Sequence, residues 1–183
     1  MMVMDIFFIT GNKHKAEEVR ALLPGIQQLD IKLPEIQSLD PKEIVAAKLK
    51  EARKHHDGII AVEDVSLSLR GLNGLPGTMI KWFVKTLGPQ GIYELTVKLG
   101  DNHATIRCTV GVSQPGQDPV FFSVERTGKI VRPRKDSAFG WNPIFQQEGI
   151  EKTYAEMTVE ERNTISHRAG AWRQVAEMRR QEK

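Results

Sequence analysis

With 183 residues and 40% hydrophobic content, the chain can bury a core without disulfide staples, since a domain of this size removes about 70% of its unfolded surface from water. A net charge of +3, carried by scattered basic residues, fits an anionic small-molecule substrate at least as well as nucleic acid. The single cysteine, Cys108, excludes an intramolecular disulfide and suits a reducing cytoplasm, and no apolar run approaches the roughly 20 residues a membrane span needs.

Residues 3–10 read as a buried strand in which Asp5 interrupts the first apolar run, so the N-terminus does not read as a secretory signal. Residues 13–23 follow as a helix with Ala16, Val19, Leu22 and Leu23 on one face, stopped by Pro24-Gly25. Residues 26–32 read as a second strand and Leu33-Pro34-Glu35-Ile36-Gln37 as a loop. Asp40-Pro41-Lys42-Glu43 is a strong helix start, and that helix runs to about His55. Lys48 falls inside its apolar stripe, where a lysine either snorkels outward or points its ammonium into a cleft.

Gly58 to Val62 reads as a buried strand ending in Glu63-Asp64, followed by a glycine-rich loop over 71–77. Residues 79–87 and 89–99 read as helices, and 103–113 and 119–131 as two long strands of a hairpin. Cys108 sits in the first of these as an apolar filler. A loop over 132–142 carries Phe139, Gly140 and Trp141. Thr158-Val159-Glu160-Glu161 is a capping box, and Ser166 can restart a helix as a second cap. The sum is an α/β chain with a mixed sheet flanked by helices, read as a single domain over 1–183.

Four features could carry chemistry. Thr10-Gly11-Asn12-Lys13-His14-Lys15 joins a strand to a helix, and a helix start with free N–H groups is an anion site. The plainer reading is a solvated basic first turn, which the helix dipole disfavours. Glu63 and Asp64 could present carboxylates to a metal, with Glu35 a further loose carboxylate; the plainer reading is a strand finishing in polar residues. Phe139 and Trp141 could stack on a base or fold back into the core. Ser166-His167-Arg168 could read a polar ligand or form a solvated helix face.

Taken in order, these motifs resemble the inosine triphosphate pyrophosphatase family, the Ham1-like enzymes that hydrolyse non-standard purine nucleoside triphosphates. The similarity covers nearly the whole chain: Thr10 to Lys15, Leu33 to Gln37, Lys48, Val62-Glu63-Asp64, Gly74-Leu75-Pro76-Gly77, Ile80-Lys81-Trp82-Phe83, Phe139-Gly140-Trp141, Thr153 to Met157 and Ser166-His167-Arg168. The resemblance implies an elongated mixed sheet, two lobes around a deep central cleft, and a cytoplasmic homodimer that binds neither membrane nor a specific nucleic acid. It implies cleavage of ITP, dITP or XTP to the monophosphate and pyrophosphate with Mg2+. Glu35 and Asp64 would hold the metal. Asp64 would be the base, with Glu63 and Lys15 as catalytic helpers. Thr10, Gly11, Asn12, Lys13, His14, Lys15, Lys48 and Lys81 would bind the phosphates and sugar. Phe139, Gly140, Trp141, Asn142, Arg162, His167 and Arg168 would form the base side, with Phe139 stacking and His167 and Arg168 reading the 6-oxo edge.

The chain departs from that pattern at three positions. Val65 replaces a hydroxyl residue after the catalytic Asp, Asn142 replaces an Asp, and Arg162 replaces a Lys. Two of these fall on the base side by analogy. The alternatives are therefore the same reaction with shifted or relaxed base selectivity, or a non-catalytic nucleotide-binding module.

Overall fold

The computed structural model describes residues 6–135 and 139–181. The chain forms β1 (Ile6–Ile9), α1 (Lys13–Leu22), β2 (Gln27–Leu29), α2 (Pro41–Ala52), β3 (Ile59–Leu69), β4 (Pro76–Gly77), α3 (Ile80–Leu99), β5 (His103–Ser113), β6 (Val120–Ile130), β7 (Phe145–Gln147), α4 (Val159–Ile165) and α5 (His167–Gln181). The strands make one mixed sheet in the order β2-β1-β3-β5-β6-β7, with β4 paired to β3. The α/β reading with a mixed sheet flanked by helices therefore holds. Among the described residues, no helix is long and apolar enough to cross a membrane.

The helix boundaries follow their caps. Asn12 caps α1, its side chain accepting from the Lys15 N–H, and a cap of this kind contributes about 1 kcal/mol. Asp40 caps α2, with Pro41 at the first helical position; Glu43 braces Ser38 instead of closing a reciprocal box. The Thr158–Glu161 capping box is complete, and Ser166 stands in extended conformation between α4 and α5. Gly88, at φ 67° and ψ 174°, breaks α3 as the sequence expects.

Three expectations are corrected. The strand that begins near Gly58 does not end at Glu63-Asp64: β3 continues to Leu69, antiparallel to β5 from Ile60 opposite Ser113 to Leu69 opposite Ala104. Leu67 and Leu69 are fully buried beyond the acids, so apolar burial carries the strand past them. The second strand is only Gln27–Leu29 rather than 26–32, and α2 stops at Ala52 rather than His55. There Arg53 donates to the carbonyls of His56, Gly58 and Ser113, at 3.1, 2.7 and 2.6 Å, and turns the chain toward β3.

Alternation along β3 assigns its faces. Ala61 joins the apolar cluster under α1 and α5, with Phe8, Val19, Val175 and Trp172. Ile60 and Val62 join the cluster under α2, with Val45 and Leu49. α2 lies so close to the sheet that a Cβ at Gly111 would meet Val45 at 2.5 Å and Leu49 at 2.7 Å. Further along β3, Leu67 and Leu69 pack with Ile92, Phe145 and Tyr154 in a third cluster. Glu63 and Asp64 thus sit mid-sheet, where the first two clusters give way to the third. Adjacent residues on a strand point to opposite faces, so the two carboxylates enter different surroundings.

Candidate functional site

Asp64 faces α2. Its Oδ1 accepts from Lys48 Nζ at 3.0 Å, and the same ammonium lies 3.9 Å from Glu35 Oε1. Lys48 is buried and also donates to the Glu63 carbonyl at 3.4 Å, so of its two open readings the structure selects the inward one. Glu35 comes from the loop before α2, and its Oε2 accepts from Lys81 Nζ at 2.6 Å on the first turn of α3. Thr78 ties that loop down by donating to the Ser38 carbonyl at 2.5 Å. Burial raises the Glu35 carboxyl, but the Lys81 hydrogen bond and the charges of Lys48, Lys81 and Lys15 outweigh it and hold the group below its ordinary value.

Glu63 faces α1 and α5. Lys15 lies 3.3 Å from its Oε1, Arg168 donates to the same oxygen from Nε at 3.0 Å, and Trp172 Nε1–H donates to Oε2 at 2.9 Å. The Cys108 thiol lies 3.8 Å from Oε2, and burial beside this carboxylate pushes the thiol up. Cys108 is therefore a protonated thiol, and its burial agrees with the apolar-filler reading. Burial alone would raise Glu63; the charges of Arg168 and Lys15 and the Trp172 hydrogen bond bring it down to about 2. Near neutral pH Glu63 is therefore a carboxylate, its oxygens engaged by Lys15, Arg168 and Trp172 and directed away from Asp64.

The opening turn is ordered by its own side chains. Thr10 Oγ1 accepts from the Asn12 N–H at 3.1 Å, Asn12 Oδ1 from the Lys15 N–H at 3.2 Å, and the Thr10 carbonyl from Gln28 at 2.9 Å. A Cβ at Gly11 would lie 2.9 Å from Asp30 Oδ1, so glycine keeps the turn close to β2. The first N–H groups of α1 have no intrahelical acceptor, and no acid stands in its first turn to offset Lys13 and Lys15. Lys15 reaches inward. Lys13 instead lines a surface hollow of about 380 Å³ with Glu17, Arg20, Gln28 and Asp30.

On the Glu63 face, Phe139 lies with its ring centroid 5.1 Å from that of His14 and 5.9 Å from the Arg168 guanidinium carbon. Gly140, at φ 59°, turns the chain so that Trp141 packs inward against Phe145, Tyr154 and His167. Of the two aromatics, Trp141 is therefore core and Phe139 is half-buried. Asn142 is buried, its carbonyl accepting from the Ala155 N–H at 3.1 Å. Arg168 is buried between Glu63 and Glu18. Arg162 donates to Glu18 at 2.9 Å and to the carbonyls of Tyr154 and Met157 at 3.0 and 2.9 Å. The arginine that departs from the family pattern thus braces α1 against α4.

His167 is buried beside Tyr154 and Trp141, and among the described residues neither ring nitrogen has a hydrogen-bond partner. Burial, then the Arg168 charge, hold it well below its ordinary value, so the imidazole is neutral. The unfolded chain takes up a proton on histidine below about pH 6.5 while the native chain does not, so stability falls as pH falls through that range. Urea midpoints measured from pH 7.5 to 5.5 will show this slope, and His167→Phe will flatten it.

Two groups result. Lys81, Glu35, Lys48 and Asp64 form an alternating chain on one face of β3. Lys15, Glu63, Arg168, Glu18 and Arg162 form a second on the other, roofed by Phe139. The Lys15 charge acts on Glu35 across this divide, so both groups share one electrostatic region. Glu18 and Trp172 escape sequence reasoning. An acid beside Val19 on a surface-type helix looks solvated, and its two arginine partners lie 144 and 150 residues away.

Among the described residues no three histidine, cysteine or acidic side chains cluster as a metal cage. Glu35 and Asp64 nevertheless offer hard oxygens around one ammonium, and Asp64 Oδ2 is buried with no donor among those residues. Two carboxylates suit a hard divalent cation that takes its remaining ligands from phosphate and water, so the residues fit the Mg2+ implied by the resemblance.

The Ham1 family pattern matches residues 6–178. The inosine triphosphate pyrophosphatase of Schizosaccharomyces pombe is 42% identical over 171 residues, spanning 91% of this chain and 90% of that protein. The Staphylococcus aureus Ham1 protein superposes with a TM-score of 0.79 at 25% identity, covering 97% of this chain and all of that one (100%). A nucleoside-triphosphatase described as a dITP/XTP pyrophosphatase, from Mycobacterium abscessus, superposes with a TM-score of 0.69 at 25% identity, covering 96% of this chain and 98% of that one.

Proposed function

The chain belongs to the Ham1 family, and from that premise we propose that it is a nucleoside-triphosphate pyrophosphohydrolase. Its substrates are non-standard purine nucleotides, ITP, dITP and XTP, released as the monophosphate and pyrophosphate. The observation that carries the reading is the alternating chain Lys81–Glu35–Lys48–Asp64, with the Lys15 helix start across β3 from it and its charge acting on Glu35. Three lysines and a metal offset the charge of a triphosphate and stabilise the charge that grows on departing pyrophosphate.

In this reading Glu35 and Asp64 hold Mg2+, which when bound neutralises phosphate charge and lowers the pKa of water. Asp64 Oδ2, which has no donor among the described residues, accepts the proton of the attacking water. Lys15 and the N–H groups of Lys13 and His14 hold the phosphates, with Thr10, Gly11 and Asn12 shaping the turn. Lys48 and Lys81 hold them from the opposite side. Glu63 acts by fixing Lys15 and Arg168 rather than by touching the metal. Phe139 stacks on the purine, with Gly140, Trp141, Asn142, Arg162, His167 and Arg168 building and bracing the base side. The single domain with two lobes and a deep cleft, the homodimer and the cytoplasmic setting belong to the same proposal.

Initial rates of pyrophosphate release from ITP, dITP, XTP, GTP and ATP with Mg2+ test the reading. ITP and XTP are expected to exceed ATP by about 10²-fold or more in kcat/KM, because a polar site mismatched at position 6 leaves buried groups unpaired. Equal rates across the panel would reject that selectivity and support the relaxed alternative suggested by Asn142 and Arg162. Asn142→Asp should then restore the ranking.

A further inference from the structure

Lys48 is the central link of the chain on the Asp64 face. Its side chain is 9% exposed, whereas that of Lys81 is 63% exposed. An ammonium has three protons to donate. Lys48 Nζ donates to Asp64 Oδ1 at 3.0 Å and to the Glu63 carbonyl at 3.4 Å, and lies 3.9 Å from Glu35 Oε1 as an ion pair. A hard divalent cation held by Glu35 and Asp64 needs these same carboxylates, at about 2.0–2.1 Å for Mg2+. Two cations cannot share them closely without strong repulsion in a buried site. Around the seat, two carboxylates face two ammoniums, Lys48 and Lys81, which cancels the pull on a free divalent ion.

We propose that Lys48 is the resident counter-ion of the metal seat: without nucleotide its ammonium holds Glu35 and Asp64 closed to free metal, and it leaves them for the triphosphate when metal-bound nucleotide enters. The inference rests on the pyrophosphohydrolase reading and adds an order of events to it. Free metal binds poorly, and metal and nucleotide arrive together. Each tightens the other, because coupling between two ligands is reciprocal. The buried stem of Lys48, anchored in α2 between Val45 and Leu49, lets the ammonium swing while its backbone stays fixed.

Calorimetric titration of Mn2+ into the nucleotide-free protein tests the proposal. Lys48→Met should bind Mn2+ about tenfold more tightly than wild type or more, within the usual range of coupling between sites. Lys48→Arg, which keeps the charge, should stay close to wild type. Lys81→Met, which removes an exposed charge from Glu35, should gain far less than Lys48→Met. A second readout uses unaltered protein: the 13Cε and 15Nζ signals of Lys48 should move with Mg2+ plus an α,β-imido analogue of ITP, and stay in place with Mg2+ alone. Mn2+ affinity no higher in Lys48→Met, or Lys48 signals that ignore the metal–nucleotide complex, would overturn it. If wild type releases pyrophosphate from ITP yet shows either result, this inference alone fails; if it releases none, the functional reading fails first.

Discussion

Asp64→Asn is expected to lower kcat for pyrophosphate release from ITP by about 10³-fold, within the range assigned to a lost general base. The substitution is close to isosteric, and the amide oxygen can still accept from Lys48 Nζ, which lies 3.0 Å from Asp64 Oδ1. What disappears is the proton-accepting power of Oδ2 and one charge toward the metal, so the fold should survive while the chemistry does not. Circular dichroism and a urea curve matching wild type must accompany the assay. A variant that is folded and retains more than a tenth of wild-type kcat would remove Asp64 from its proposed role.

Glu63→Ala is expected to act on stability. It strips buried Arg168 of one of its two carboxylate partners, strands the buried Trp172 N–H and releases the half-buried Lys15. Breaking a buried pair by deleting one partner costs about 3–5 kcal/mol, a large share of the 5–15 kcal/mol that holds a typical domain folded. Chemical denaturation will measure it. The pH dependence carries the same signature. The Glu63 carboxyl sits at about 2 in the native state, against an ordinary value of 4.5. Its contribution is complete above the unfolded value and drains away as pH falls from there toward about 2. That acid limb should shrink in Glu63→Ala. Glu18→Ala should not add its full cost to Glu63→Ala, because both acids serve Arg168.

Much of this frame is legible in the residues themselves. Asn12, Asp40-Pro41 and Thr158–Glu161 mark helix starts by local hydrogen bonding, and Gly88-Pro89 marks a break, because these effects reach only a few residues. The β5–β6 hairpin is legible for the same reason. What escapes is set by distant partners. Two adjacent acids look like a strand end until β5 is seen pairing past them and Arg168, 105 residues on, is seen neutralising one of them. β7 is three residues long, too short for alternation to register. Lys48 lay between the two cases: its place in an apolar stripe was visible, and its partner was not. On the base side, sequence pattern grouped Trp141 with Phe139, yet the turn at Gly140 sends them in different directions.

The reading rests on attack at the α-phosphorus, which leaves pyrophosphate whole. Following wild-type protein with ITP and Mg2+ by 31P NMR tests this directly. The account predicts IMP and inorganic pyrophosphate in equal amounts, with no orthophosphate and no IDP. Orthophosphate with IDP, or an unchanged triphosphate spectrum at micromolar enzyme, would contradict it.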